Sequence, residues 1–304
     1  ENNTDGYSVL EELLNSLSLK PTELVLLLEA TGIYGEELCY YFSAKDYNVS
    51  VEAPHKIKNS IKDSPRKNDF LDAERIAEYA YRFCDQLSLW LPPSEILDQI
   101  KSLLSLREHI VEQVTANKSA LKAVQRKHYK NQMVEDIYLE AINLGGKQVK
   151  LIEKQIKGLL NDDDSFRHKV KLLLSVPGVG LLLACNLMVI TEGFSKAVNY
   201  KQLNAYAGIC PFEKQSGSSL YRRPRSKRVG PGKLRKLLYL ASLSVRTHNP
   251  EFRRYFLRKT NQGKNSRLVL NNIANKIIKI SFAVVHNNKP FIDNYNSINP
   301  CIFI

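Results

Sequence analysis

The spacing of apolar positions changes twice along this chain, near residue 93 and again near residue 166. Tyr7, Leu10, Leu13, Leu14 and Leu17 recur at helical spacing and predict a helix over 6–18. The apolar run 24–28 predicts a buried strand, followed by a helix over 34–44, a strand at 49–51 and a helix over 70–83. A β-α-β-α order implies parallel strands joined by helical crossovers. Two strands are too few for a parallel sheet covered on both faces, so further strands of this domain are expected upstream of Glu1.

Beyond Pro92 and Pro93 the period becomes heptad-like. Ile96, Ile100, Leu103, Arg107, Ile110, Val114, Asn117, Leu121 and Val124 alternate spacings of four and three, with Arg107 and Asn117 as polar interruptions. A second helix over about 135–160 continues the trend through Val149, Ile152, Ile156 and Leu159. The reading favours a coiled coil between copies of the chain over an intramolecular helical hairpin.

The third region is helical and punctuated. Residues 172–190 carry no charge, but Pro177, Gly178, Gly180 and Asn186 divide them into two buried helices around a turn rather than one membrane span. A short helix lies in QLNAYAGI, a Gly/Ser/Pro-rich loop spans 211–232, and helices follow over 233–248 and 267–287. The expected division is therefore 1–92, 93–165 and 166–304.

Composition sharpens this picture. The 304 residues are 43% apolar, enough for a sizeable core. Five scattered cysteines form no CxxC pair and six histidines form no ligand-spaced cluster, which argues for a reducing cytosol and against a zinc centre. The net charge is +13, and from Lys214 to Pro290 there are 19 Lys/Arg against one acid, Glu251, leaving residues 1–213 at −4. Confinement of the basic excess to the back half implies a polyanionic partner there.

Two stretches could carry chemistry. In RKNDFLDAERIAEYA, Asp69 and Asp72 open a helix whose apolar face is read as Ala73, Ile76, Ala77 and Ala80, with Glu74, Arg75, Glu78 and Arg82 solvated. The two aspartates either cap the first turn or look along the core stripe as metal ligands. Glu29 ends the strand at 24–28, where ligands of open α/β sheets collect, and three carboxylates there would suit Mg2+. In QSGSSLYRRPRSKRVGPGKLRK, Ser216, Ser218 and Ser219 precede Arg222, Arg223, Arg225, Lys227, Arg228, Lys233, Arg235 and Lys236. The residue types favour a DNA-binding loop over a nucleophile at this point, with the arginines as phosphate partners. The VPGVG turn could offer backbone N–H groups to phosphate, or carry glycine for steric reasons.

EATGIYGEEL, RKNDFLDAERIAEYA, LLSVPGVG, LNAYAGICPFEKQSGSS and KLRKLLYLASLSVRTHNP, in that order, resemble the insertion sequence 110 transposases. The resemblance implies an α/β domain of RuvC-like (RNase H) fold with a D-E-D-D metal site, N-terminally incomplete here. A coiled-coil connector and a mainly helical domain with a helix-hairpin-helix-like turn and a nucleophilic serine would follow. Glu29, Asp69 and Asp72 match the family's metal ligands, and Ser216 matches its serine. The first aspartate would precede Glu1; KND stands where KTD is usual, and Ser218 where Lys is frequent.

What the resemblance implies is a cytoplasmic DNA recombinase using Mg2+ and a serine–phosphodiester intermediate, guided by a structured RNA and acting as a homo-oligomer. The competing readings are a RuvC-like junction nuclease in which water attacks, and an inactive nucleic-acid-binding remnant.

Overall fold

The computed structural model describes residues 2–60, 68–195, 199–216, 220–226 and 230–293. The chain divides into two compact units, Glu1–Pro93 and Ser94–Ile304.

The first unit begins with α1 (Thr4–Ser16), whose first turn is closed by Asn3 accepting from Gly6 N at 2.9 Å. Strand β1 (Val25–Glu29) pairs in parallel with β2 (Asn48–Glu52), and α2 (Glu36–Ser43) is the crossover, as the alternating pattern requires. Tyr7, Cys39, Phe42, Tyr47 and Val49 form the core, with Phe42 and Tyr47 edge to face at 5.3 Å. Trp90 N donates to Val49 O at 2.7 Å and Leu89 bridges Ser50, so β2 has backbone partners on both edges. Two helices close the unit, α3 (Pro54–Ser60) and α4 (Asp69–Arg82), and α4 packs on β1.

The buried stripe of α4 differs from the expected one. Tyr79 is buried and Leu71, Arg75, Ile76, Ala80 and Phe83 are half-buried, whereas Ala73 and Ala77 are exposed. The large rings set the orientation: Tyr79 and Phe83 pack in a tilted pair with centres 4.9 Å apart and outweigh the alanines, whose burial removes little surface from water.

The second unit opens with α5 (Glu95–Gln125) and α6 (Gln132–Asn161), which pack on each other as a helical hairpin. The seam therefore faces a helix of the same chain, which is the intramolecular hairpin alternative to a coiled coil between copies. The polar interruption Arg107 is answered within the chain, its Nε donating to Glu153 on α6 at 2.8 Å. Gly145 allows the close approach, because a Cβ there would stand 2.3 Å from Val114 Cγ2.

Helices α7 (Asp164–Leu174) and α8 (Leu181–Ile190) flank the VPGVG turn, and α9 (Tyr200–Tyr206) follows. The segment expected as a loop over 211–232 instead contains an antiparallel hairpin, β3 (Pro211–Ser216) and β4 (Leu220–Ser226). Its register places one residue between Phe212 and Lys214 opposite two between Arg225 and Arg222. That bulge falls at Pro224, which has no N–H to give a ladder. The remaining helices are α10 (Gly232–His248), α11 (Pro250–Asn261) and α12 (Ser266–His286).

Among the described residues α12 is the helix long and apolar enough to cross a membrane. Here it is the central core helix: Val269, Leu270, Ile273, Ala274, Ile277 and Ile278 are buried, and α7, α9, α10 and α11 pack around it.

Candidate carboxylate site and nucleic-acid interface

In the first unit, parallel pairing brings two carboxylates to the C-terminal ends of neighbouring strands. Glu29 is the register partner of Glu52, and Ala30 N donates to Glu52 O at 2.8 Å just beyond the pair. Glu52 is buried and neutralised by Lys56, whose Nζ lies 2.7 Å away on the first turns of α3. Glu29 is half-buried and has no such cation among the described residues. Sequence reasoning missed Glu52; the signal was available, since VSVE ends β2 as LLLE ends β1.

Asp69 and Asp72 lie in the first turn of α4, and neither is its N-cap. Asn68 holds that position with extended backbone, and its Oδ1 accepts from Leu71 N at 2.8 Å. Asp72 is exposed and pairs with Arg75 at 3.2 Å. Asp69 is exposed and carries no hydrogen bond or ion pair among the described residues. Because α4 packs on β1, the three sequence-selected acids sit on two elements in contact. Their donors are the hard oxygens that Mg2+ prefers. Three such groups are not gathered at metal-holding distance among the described residues, so the acids present do not by themselves constitute a metal centre.

In the second unit, Ser216 is the last residue of β3, at the tip of the hairpin and paired in register with Leu220. The next ladder positions are Gln215 with Tyr221 and Lys214 with Arg222, and Arg225 pairs with Phe212 farther down. Arg223 lies within the bulge. Lys227 and Arg228 lie outside the described residues.

Lys233 and Arg235, expected at phosphate, also have partners within the protein. Lys233 Nζ is 2.9 Å from Glu108 Oε2 on α5, tying α10 to the helical hairpin. Arg235 is half-buried and its Nη1 donates to Ala207 O at 3.1 Å and Gly230 O at 3.4 Å. Both cations hold the base of α10 in place.

The VPGVG turn has a steric explanation. Gly178 has φ +80°, and a Cβ there would meet Val245 Cγ1 at 2.5 Å and Ala241 O at 2.9 Å. Only glycine lets the α7–α8 turn lie this close to α10. Beside it Gly180, Leu181, Leu237 and Ser244 line an open, mainly apolar groove of about 420 Å³.

Comparison with known proteins joins these observations. Residues 1–129 match a DEDD transposase domain of IS110 elements, and residues 170–257 match the family described as "Transposase IS116/IS110/IS902 family". The "Pilin gene-inverting protein" of Moraxella bovis is 27% identical over 95% of this chain and 88% of its own length. The protein of the same name from Moraxella lacunata is likewise 27% identical over the same shares. The "Insertion element IS110 uncharacterized 43.6 kDa protein" of Streptomyces coelicolor is 29% identical over 46% of this chain and 33% of its own length. The DEDD match points to use of a divalent metal, and a transposase must bind DNA. With both halves matched, each by a transposase domain of the same kind of element, the chain belongs to the IS110 family of transposases and is a DNA recombinase.

Proposed function

We propose that this transposase cuts and rejoins DNA through a covalent intermediate on Ser216. The hydroxyl oxygen attacks the scissile phosphorus, an Oγ–P bond forms, and the bond from phosphorus to one sugar oxygen breaks. The leaving alkoxide takes a proton, and the proton of the serine hydroxyl passes to a neighbouring base. Rejoining is the reverse: a sugar hydroxyl of the new partner strand attacks the phosphoserine and releases the enzyme. The bond energy of the phosphodiester is conserved, so no external energy source is required.

The observation that carries this reading is the position of Ser216 at the end of a narrow two-stranded hairpin, two ladder positions from the Lys214–Arg222 pair. A hairpin tip can approach a DNA strand without burying its flanks. Arg222, Arg223, Arg225 and Arg228 supply bidentate donors that suit phosphate, and Lys227 adds a point charge.

In the first unit the proposed ligands of Mg2+ are Glu29, Asp69 and Asp72, on a RuvC-like arrangement of parallel strands and helices. Mg2+ is commonly held by one or two carboxylates together with substrate phosphate oxygens, which suits acids on two separate elements. When bound, the ion would offset negative charge on the scissile phosphate. The domains are read as 1–92, 93–165 and 166–304.

Recombination of two duplexes breaks and rejoins several strands, and each chain brings one Ser216, so the working species is a homo-oligomer, a dimer or tetramer. Exposed apolar residues on the same helical hairpin, Leu106, Leu144 and Leu151, are available for its contacts. A structured guide RNA is the partner that selects target DNA, in the cytoplasm, and the basic excess over 214–290 suits nucleic acid in general. Inversion of a DNA segment, named in the Moraxella relatives, is one outcome of the same chemistry.

The test is strand cleavage of a supercoiled plasmid carrying the element's ends, with Mg2+ and the flanking RNA. Ser216→Ala should abolish cleavage. Cleavage that survives Ser216→Ala but is lost in Asp69→Asn would assign the attack to water instead.

A further inference from the structure

Helices α11 and α12 pack together and α9 packs on α12. Arg258 and Lys259 occupy the last turn of α11, and Lys276 and Lys279 stand one turn apart on α12. The Lys276 ammonium lies over the Tyr255 ring, 4.3 Å from its centre, and the Arg258 guanidinium lies 5.8 Å from the same ring. Lys279 Nζ lies 5.7 Å from the centre of the Tyr200 ring. The aromatic faces thus fix several cations side by side.

Among the described residues this arrangement has no ion-paired acid. No carboxylate forms an ion pair with Arg258, Lys259, Lys276 or Lys279 among the described residues. Glu251 is the one acid whose field acts on Lys276. Partial burial, and then the fields of Arg258, Lys279 and Lys259, hold the Lys276 pKa below the ordinary lysine value. Mutually repelling cations held on a folded surface without an ion-paired acid favour binding of an anion.

We propose that the Arg258–Lys259–Lys276–Lys279 cluster is a binding site for the phosphate backbone of duplex DNA, separate from the Ser216 hairpin. Duplex is preferred over single-stranded nucleic acid because of the rings. Single strands bind by stacking bases on open aromatic faces, whereas the Tyr255 face is covered by Lys276 and Arg258. What the cluster presents outward is charge, which contacts phosphate and reads no sequence. The site would therefore hold DNA flanking the recombining positions, whatever its sequence. It rests on the DNA-binding character of the family and not on the serine chemistry.

The experiment is a salt titration of the full chain against a fluorescent duplex of scrambled sequence. Arg258→Gln/Lys276→Gln/Lys279→Gln should lower the slope of log K against log salt by about 2–3, close to 0.9 per lost phosphate contact. Affinity at moderate salt should fall by roughly tenfold or more. The control, Lys118→Gln/Lys122→Gln/Lys150→Gln, removes the same charge from exposed positions of α5 and α6 and should change the slope by less than about 1. Lys276→Arg keeps the charge and should keep the slope, which separates loss of contact from misfolding. An unchanged slope in the first triple variant, or equal losses in both triples, overturns the proposal. A loss seen with a structured RNA hairpin and absent with duplex DNA also overturns it, since the site would then belong to RNA. Ser216→Ala should leave the slope unchanged, so failure of the serine mechanism and failure of this site are distinguishable.

Discussion

Asn68 caps α4 by accepting a hydrogen bond from Leu71 N at 2.8 Å, which relieves both neighbouring aspartates of that duty. The helix therefore does not depend on Asp69 or Asp72 for its start. Asn68→Ala should cost about 1 kcal/mol of stability, the usual loss for an N-cap side chain. Urea unfolding of the wild type and the variant, compared at equal m-value, checks this.

Asp69 is the complementary case. It is exposed and without a partner among the described residues, so its remaining structural contribution is its attraction to the helix N-terminus. Asp69→Asn should change stability by about 0.3–1 kcal/mol at most, yet abolish metal-dependent cleavage of DNA. A variant that loses several kcal/mol would make Asp69 a structural residue and remove it from the site.

Two glycines mark where backbones approach most closely. A Cβ at Gly145 would lie 2.3 Å from Val114 Cγ2, and one at Gly178 would lie 2.9 Å from Ala241 O with φ at +80°. Gly145→Val should destabilise by roughly 1–3 kcal/mol, the usual cost of overpacking. Gly178→Ala should cost at least as much, because a strained left-handed residue is added to the clash. If α5 and α6 instead paired between chains, Gly145→Val would change the oligomer distribution in sedimentation before it changed the unfolding midpoint.

Cys185 lies in the core on α8, and burial pushes its pKa up from 9.0 to about 12. The folded state keeps the thiol neutral, while the unfolded chain ionises it above its ordinary value. Unfolding therefore releases a proton at alkaline pH, and this group's effect is a loss of stability as pH rises above about 9, by roughly 1.4 kcal/mol per unit until about 12. Exposed Cys84 should react with a thiol reagent in the native protein, and Cys185 only after unfolding. Rapid native labelling of Cys185 would contradict its placement.

Much of this fold is written in apolar spacing. The runs that became β1 and β2 and the seam that became α5 and α6 are visible without a structure. The partner of the seam was not visible, because a heptad face looks the same whether the facing helix is in the same chain or another. The β3–β4 hairpin was hidden by Pro224 and by the run of serines and glycine in the sequence, which read as a loop until the bulge that accommodates Pro224 is known. The face of α4 was misjudged because four apolar letters were given equal weight, when Tyr79 and Phe83 dominate the buried area. Candidate chemistry was legible as residue type and order in the chain. Where the acids stand in space was not, because that depends on which elements pack, and the protein partners of Lys233 and Arg235 were invisible for the same reason.

The central claim is a covalent bond between Ser216 and DNA, and it can be read directly by mass. Protein is incubated with its DNA substrate, Mg2+ and the guide RNA, quenched with denaturant, and digested with nuclease and trypsin. The peptide running from Gln215 to Arg222 contains Ser216, Ser218 and Ser219, so fragmentation separates the three. The account predicts a residual nucleotide on Ser216 alone, absent from Ser216→Ala. A nucleotide on Ser218 or Ser219, or cleaved DNA with no modified peptide, would contradict it.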